Sequence, residues 1–240
     1  MVQVTKADGS REDYSEQKVR SSLMRAGAGE HIIKEIVEEI NREVNDGMST
    51  QDIYSLIYNH LRDKDQILVS RYNLKSAIME LGPTGYPFEK FFAGVLQQYG
   101  YTAETNVILQ GSCVTHEIDI LAEKDGKRIM IEAKFHNHPG TKSDIRATLY
   151  THARFLDVKE KNDFDEHWLV TNTKATHDAV SYGLCRGMKV ISWDKPDGFS
   201  LRHLIEKSRL HPITALEHLS EDRKRELLEK GIVFVKDMKE

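Results

Sequence analysis

Cysteine is scarce: Cys113 and Cys185 are the two in 240 residues, and their spacing matches no zinc motif. A disulfide scaffold and a cysteine-held zinc are therefore not expected, and reduced thiols in a cytoplasm are. Long apolar runs are missing as well. Nothing approaches the roughly 20 consecutive residues that a membrane helix requires. The opening Met1-Val2-Gln3-Val4-Thr5-Lys6 lacks the charged and apolar regions of a secretory signal. Charge of one sign is not in excess. With 34 basic and 38 acidic side chains the net charge is −4, which excludes a protein that coats DNA through bulk positive charge. A local basic groove beside metal-binding carboxylates is compatible with that total. No GxxxxGK[ST] occurs, so nucleotide chemistry of the P-loop kind is not expected. What is present is 39% hydrophobic and 30% charged residues. That is the balance of a globular chain, long enough for two modest domains that each bury a core.

Two apolar, β-branched runs organise the rest: Glu117-Ile118-Asp119-Ile120-Leu121-Ala122 and Ile129-Met130-Ile131-Glu132-Ala133-Lys134, with Asp125-Gly126 between them. They read as a hairpin of largely buried strands. Alternation puts Glu117 and Asp119 on one face of the first strand, and Glu132 and Lys134 on one face of the second. A register that joins those faces gathers at least two carboxylates and an ammonium. Carboxylates so gathered repel and lose solvation unless a cation joins them. A hard divalent ion, Mg²⁺ or Mn²⁺, suits oxygen ligands. The lysine can then orient a water or stabilise a phosphorane-like transition state. On spacing alone the alternative is an exposed hairpin with solvated charges, since E-x-K recurs by chance. The apolar flanks Ile129, Met130, Ile131 and Ala133 argue against such a ribbon.

Asp119, followed thirteen positions later by Glu132-Ala133-Lys134, resembles the PD-(D/E)xK nuclease motif in the form seen in Mrr-type restriction endonucleases. Gly85-Tyr86-Pro87-Phe88-Glu89 is similar to the opening of the first helix in that group. The resemblance implies a restriction-endonuclease-like mixed-sheet α/β core over 83–208. It also implies metal held by Asp119 and Glu132 with Glu89 assisting, and Lys134 as the catalytic lysine. The predicted helix from Tyr86 carries Phe88, Phe91, Phe92, Val95 and Leu96 as a buried stripe, with Glu89 at its edge. Several Mrr-type nucleases carry a glutamine on the helix that corresponds to the one expected here over 142–161. This sequence has none, and Arg146, Tyr150 or His152 is expected in its place. His136 and His138 follow Lys134, where zinc ligation is disfavoured by the Pro139-Gly140 loop; a phosphate contact by His136 is the minor expectation. Strand–helix–strand from Trp168 to Trp193 argues a crossover with parallel pairing.

Residues 1–82 form a separate unit. A hairpin over 1–14 turns at Ala7-Asp8-Gly9-Ser10. Helices follow from Ser15, over 30–45, from Ser49 or Thr50, and over 66–81, each with an apolar stripe. Val4-Thr5-Lys6-Ala7-Asp8-Gly9 with Glu12 and Lys18 resembles the ATP-cone. So do Met48-Ser49-Thr50-Gln51-Asp52-Ile53-Tyr54 and Ser70-Arg71-Tyr72-Asn73-Leu74. That resemblance implies a small, mostly helical nucleotide sensor of one β-hairpin plus four helices. Val4, Lys6, Lys18 and Thr50 would hold ATP or dATP as an effector. The arginine common after the first lysine is Ala7 here.

Residues 209–240 read as a short helical tail, and Leu227-Leu228-Glu229-Lys230-Gly231-Ile232 resembles the start of a helix-hairpin-helix unit. Together these features point to an α/β protein that is a nucleotide-regulated, divalent-metal-dependent DNA endonuclease. A homodimer or larger even assembly is expected. The alternatives are a DNA-binding or signalling protein assembled by adenine nucleotide, and a resolvase of branched DNA.

Overall fold

In a computed structural model of the chain, residues 2–62, 64, 68–69, 72–138, 140–216 and 218–238 are described. The chain divides into two compact units, residues 1–76 and 77–240.

The first unit begins with β1 (Gln3–Thr5) and β2 (Arg11–Asp13), an antiparallel pair in which Val4 faces Glu12. Gly9, at φ 80°, supplies the left-handed residue that the tight turn needs. Helices α1 (Glu16–Ala26), α2 (Glu30–Glu43) and α3 (Thr50–Arg62) follow. Gly27 ends α1 in the left-handed region, with Ala28 N–H returned to the Leu23 carbonyl as helix C-termini require. Ser49 caps α3 rather than Thr50. Its hydroxyl accepts from Asp52 N–H at 3.0 Å while Asp52 accepts from Ser49 N–H at 3.1 Å, a reciprocal capping box. The helices bury Val19, Leu23, Ile33, Ile36, Ile40, Ile57 and Leu61 against Val4 of the hairpin. A bridge from Thr5 to Ser49 ties the first strand to the start of α3. The fourth helix expected over 66–81 is described as α4 (Leu74–Met79). Ser70 and Arg71 of the motif around it lie outside the described residues.

The second unit is a five-stranded sheet in the order β3-β4-β5-β7-β9, formed by Thr102–Gln110, Thr115–Lys124, Lys127–Lys134, Glu166–Thr171 and Lys189–Ile191. The first three strands are antiparallel; β5, β7 and β9 are parallel. The chain is therefore α/β with a mixed sheet, as expected. Asp125 and Gly126, at φ 51° and 75°, make the two-residue turn between β4 and β5. Helix α5 (Tyr86–Gln98) packs on β3 and β4; α6 (Ile145–Lys159) packs on β5, β7 and α7 (His177–Cys185). Met130 clusters with Phe155 and Val158 of α6, while Ile129 and Ile131, equally buried, point to the other face. A sheet covered on both faces explains strands that are almost continuously apolar.

One expected boundary is corrected. The helix expected from Lys142 starts at Ile145, because the Asp144 side chain accepts from Arg146 N–H at 3.0 Å and caps it. Lys142–Ser143 is instead β6, paired in parallel with β8 (Lys174–Ala175). After α8 (Leu201–Ser208) the C-terminal stretch carries α9 (Glu221–Glu229) and folds onto this same unit. Phe234 stacks on Phe91 of α5 with ring centroids 5.1 Å apart. Thr214 Oγ1 donates to the Ala77 carbonyl at 2.6 Å.

Candidate nuclease site

The central hairpin does not alternate regularly. Ile118 and Leu121, three residues apart, both pack in the cluster beneath α6, which an unbroken strand cannot do. The break falls at Asp119-Ile120. Across from it, Asn106 sits at φ 56° between the paired positions Thr105↔Ile120 and Val107↔Ile118. The β4–β5 ladder also stops there, with Ile120↔Ile131 as its last pair. Beyond that pair, the Asp119 carboxylate takes over as acceptor from Ala133 N–H at 2.8 Å. The strands part where the polar side chains begin, and the opening is the site.

Asp119 and Glu132 meet in that opening around Arg154 of α6. Arg154 Nη1 lies 2.7 Å from Glu132 Oε2 and 3.7 Å from Asp119 Oδ1, and donates to the Glu117 carbonyl at 2.9 Å. Burial raises the pKa of Glu132, the Asp119 charge adds to that, and Arg154 and then Lys134 oppose it. Asp119 is likewise pushed up by burial, against the Ala133 amide and Arg154. Glu89 approaches from α5. Burial first and Asp119 second push it up to about 7, and Asn106 Nδ2 donates to it at 3.3 Å. Three carboxyl groups in one partly desolvated space favour uptake of a proton or a cation.

Each expected residue can now be placed. Asp119, Glu132 and Glu89 come together, although no three His, Cys, Asp or Glu side chains among the described residues form a metal-holding group by themselves. Two carboxylates suffice for a hard ion that keeps several waters. Lys134, exposed at the end of β5, lines an open cleft of about 410 Å³ with Gly85, Ala133, His136 and His138. Glu117 flanks the three carboxyl groups: its charge acts on Asp119, and its partner Asn106 also donates to Glu89. It is exposed, and its side chain accepts from Asn106 at 2.8 Å. His136 is held by structure: Asn172 brackets its backbone N–H and C=O at 2.8 Å each, and its ring reaches Ser143 Oγ at 2.9 Å. Burial, with Lys134 second, lowers its pKa, so at neutral pH it is an uncharged ring. The α6 residue that reaches the carboxylates is Arg154, not the expected Arg146, Tyr150 or His152. Tyr150 accepts from it at 2.5 Å. The sequence signal was its place on α6, one turn beyond Tyr150.

In the first unit, Lys6 and Lys18 converge. Both Nζ atoms lie 2.7 Å from the same oxygen, Glu12 Oε2. Glu12 is held below the usual carboxylate range by Lys18 and then Lys6. Val4 is buried in the strand paired to Glu12, and Thr50 opens α3 next to Ser49, the bridge partner of Thr5. Two ammonium groups that converge on one point suit an anionic ligand.

Comparison with known proteins agrees with this division. Residues 2–75 match the ATP-cone domain family and residues 82–197 match the restriction endonuclease family Mrr_cat. An uncharacterized protein of Archaeoglobus fulgidus is 43% identical over 146 residues, spanning 61% of this chain and 82% of that one. A crystal structure of a protein of unknown function, AF1548, aligns at 40% identity with a TM-score of 0.58, over 64% of this chain and 82% of that one. The structure of Can2 from Sulfobacillus thermosulfidooxidans in complex with cyclic tetra-adenylate aligns at 13% identity and a TM-score of 0.35, over 80% of this chain and 52% of that one. That last likeness is too slight to bear on the fold.

Proposed function

The chain carries an ATP-cone followed by an Mrr-type restriction endonuclease domain, and from that premise we propose that it is a divalent-metal-dependent DNA endonuclease regulated by adenine nucleotide. The observation that carries the reading is the meeting of Asp119, Glu132 and Glu89 at the break in β4, with the part-buried Arg154 guanidinium between the first two. A divalent ion held by Asp119 and Glu132 would neutralise charge on the scissile phosphodiester. Lys134 stands at the cleft rim on the same face as Glu132, and there it orients the attacking water and offsets charge on the phosphate oxygens. Glu89, reaching the same opening from α5, would assist Asp119 and Glu132 in holding the ion. His136 and His138 line the same cleft and contact the nucleic-acid backbone by hydrogen bonding.

In the cone, Lys6 and Lys18 exchange their shared Glu12 partner for nucleotide phosphates, with Val4 and Thr50 flanking the pocket. Without a P-loop the nucleotide acts as a ligand and is not turned over. The deciding experiment incubates the full chain with supercoiled duplex plasmid and Mg²⁺ or Mn²⁺, with and without a chelator. Nicked and linear products that vanish with chelator are expected. Intact plasmid at every metal concentration, with duplex still bound, would replace this reading with that of a DNA-binding protein assembled by nucleotide.

A further inference from the structure

Arg154 is an unusual neighbour for two carboxylates meant for a metal. One nitrogen, Nη1, serves three oxygens at once: Glu132 Oε2 at 2.7 Å, the Glu117 carbonyl at 2.9 Å and Asp119 Oδ1 at 3.7 Å. Two carboxylates and a main-chain carbonyl are the donor set of a hard cation. The guanidinium is not used as the planar, two-pronged fork that structural arginines favour. Its Nε is buried with no hydrogen-bond partner, a cost that a purely structural arginine would be expected to avoid. The side chain is only 12% exposed. Its remaining contacts lead outward: Nη2 meets the Tyr150 hydroxyl at 2.5 Å, and the guanidinium lies 4.6 Å from the Tyr150 ring centre. Tyr150 is 56% exposed.

We propose that Arg154 is the resident counterion of this site. Its Nη1 occupies the oxygen cage that a divalent ion would use, and Arg154 moves out along Tyr150 to a DNA phosphate when the ion enters. The inference rests on the proposed metal role of Asp119 and Glu132. An arginine in the cage keeps the carboxylates compensated while DNA is absent, and it competes with the ion for the same oxygens. A duplex offers that guanidinium a phosphate, which it binds with two parallel hydrogen bonds. Ion and DNA are then linked through one side chain, and each tightens the other by the same factor.

The test is Mn²⁺ binding by calorimetry on the full chain, with and without a short duplex whose phosphodiesters resist cleavage. Arg154→Gln is expected to bind Mn²⁺ roughly 5- to 150-fold more tightly than the wild type without DNA, the span of a typical coupling. The duplex should tighten Mn²⁺ binding of the wild type over a similar range and that of the variant by a smaller factor, the part that runs through Arg154 being lost. Equal or weaker Mn²⁺ binding by Arg154→Gln overturns the proposal, as does a duplex with no effect on the wild type. Absence of Mn²⁺ binding in both proteins removes the metal reading itself, a result distinct from binding that ignores Arg154. Should Arg154→Gln fold poorly, the wild type still decides. The slowly exchanging Arg154 Nε–H resonance, assigned by its loss in Arg154→Lys, should disappear on adding Mg²⁺. Its persistence at saturating Mg²⁺ refutes the displacement.

Discussion

The Asp119 carboxylate accepts a hydrogen bond from the Ala133 amide at 2.8 Å, replacing the backbone partner that β4 no longer offers past Ile120. One side chain thus closes the end of the ladder and supplies charge to the site. Two substitutions separate these roles. Asp119→Asn keeps an oxygen for the Ala133 amide but loses the charge, so cleavage should vanish with little change in stability. Asp119→Ala also strands a backbone donor, and chemical denaturation should show an added loss of about 1–3 kcal/mol. Lys134→Ala, exposed at the rim, should lose cleavage and keep its stability. Wild-type cutting by any of the three would show that the site is misassigned.

Glu89 makes the metal-free protein sensitive to pH. Its folded pKa of about 7 lies above the ordinary 4.5, so the folded state holds a proton that the unfolded chain has released between those values. The stability this contributes is complete below about 4.5 and is lost as pH rises through 7. Urea unfolding in chelator across that window should show the wild type losing stability relative to Glu89→Gln as pH increases. Parallel curves for the two proteins would mean that Glu89 is not in the desolvated place assigned to it.

Nucleotide binding is expected to need both lysines that grip Glu12. Lys6→Ala combined with Lys18→Ala should abolish ATP and dATP binding in calorimetry while Mn²⁺ binding in the second unit persists. In the wild type, nucleotide should shift the cleavage rate by roughly 5- to 150-fold, in either direction, without being hydrolysed. No heat of binding at millimolar ATP or dATP would leave the cone as an assembly domain.

Cutting both strands of a duplex calls for two sites, which an isologous dimer supplies. Helix α6 carries Ile145, Leu149 and Leu156 exposed at 36%, 44% and 51%, and neighbouring α7 carries Leu184 at 69%. Such a grouping on one helical pair is suited to self-association. Sedimentation should find a dimer or larger even assembly at micromolar concentration, and Leu149→Glu with Leu156→Glu should yield monomer. A wild-type monomer with and without nucleotide would rule out both the assembly and concerted double-strand cutting.

The C-terminal stretch is predicted to hold α5 in place. A Cβ on Gly94 would fall 2.3 Å from the Phe234 ring, too close for the aromatic to yield within a packed core. Gly94→Ala should therefore lower stability by about 1–3 kcal/mol, and adding Phe234→Leu should recover part of the loss. An unchanged melting temperature in Gly94→Ala would show that Phe234 does not dock there.

Periodicity alone determined most of the elements. The apolar, β-branched runs on either side of Asp125-Gly126 marked the hairpin of β4 and β5, and helical stripes such as Phe88, Phe91, Phe92 and Val95 marked α5, because both signals depend on near neighbours in the chain. Motif order likewise marked Asp119, Glu132 and Lys134, and the two lysines of the cone. Tertiary structure decided what lies between these pieces. That one asparagine ties Glu117 to Glu89 depended on the break opposite Asn106, and positive φ in an asparagine leaves no periodic trace. The start of α6 depended on Asp144 capping Arg146 and on Lys142–Ser143 pairing with Lys174–Ala175, 32 positions away. Arg154 carried only the weak signal of its place one turn beyond Tyr150, since it lies 22 residues from Glu132 and meets it only because α6 packs over β5. Local sequence specifies which elements form. Which charges share a desolvated space is fixed by how distant elements pack.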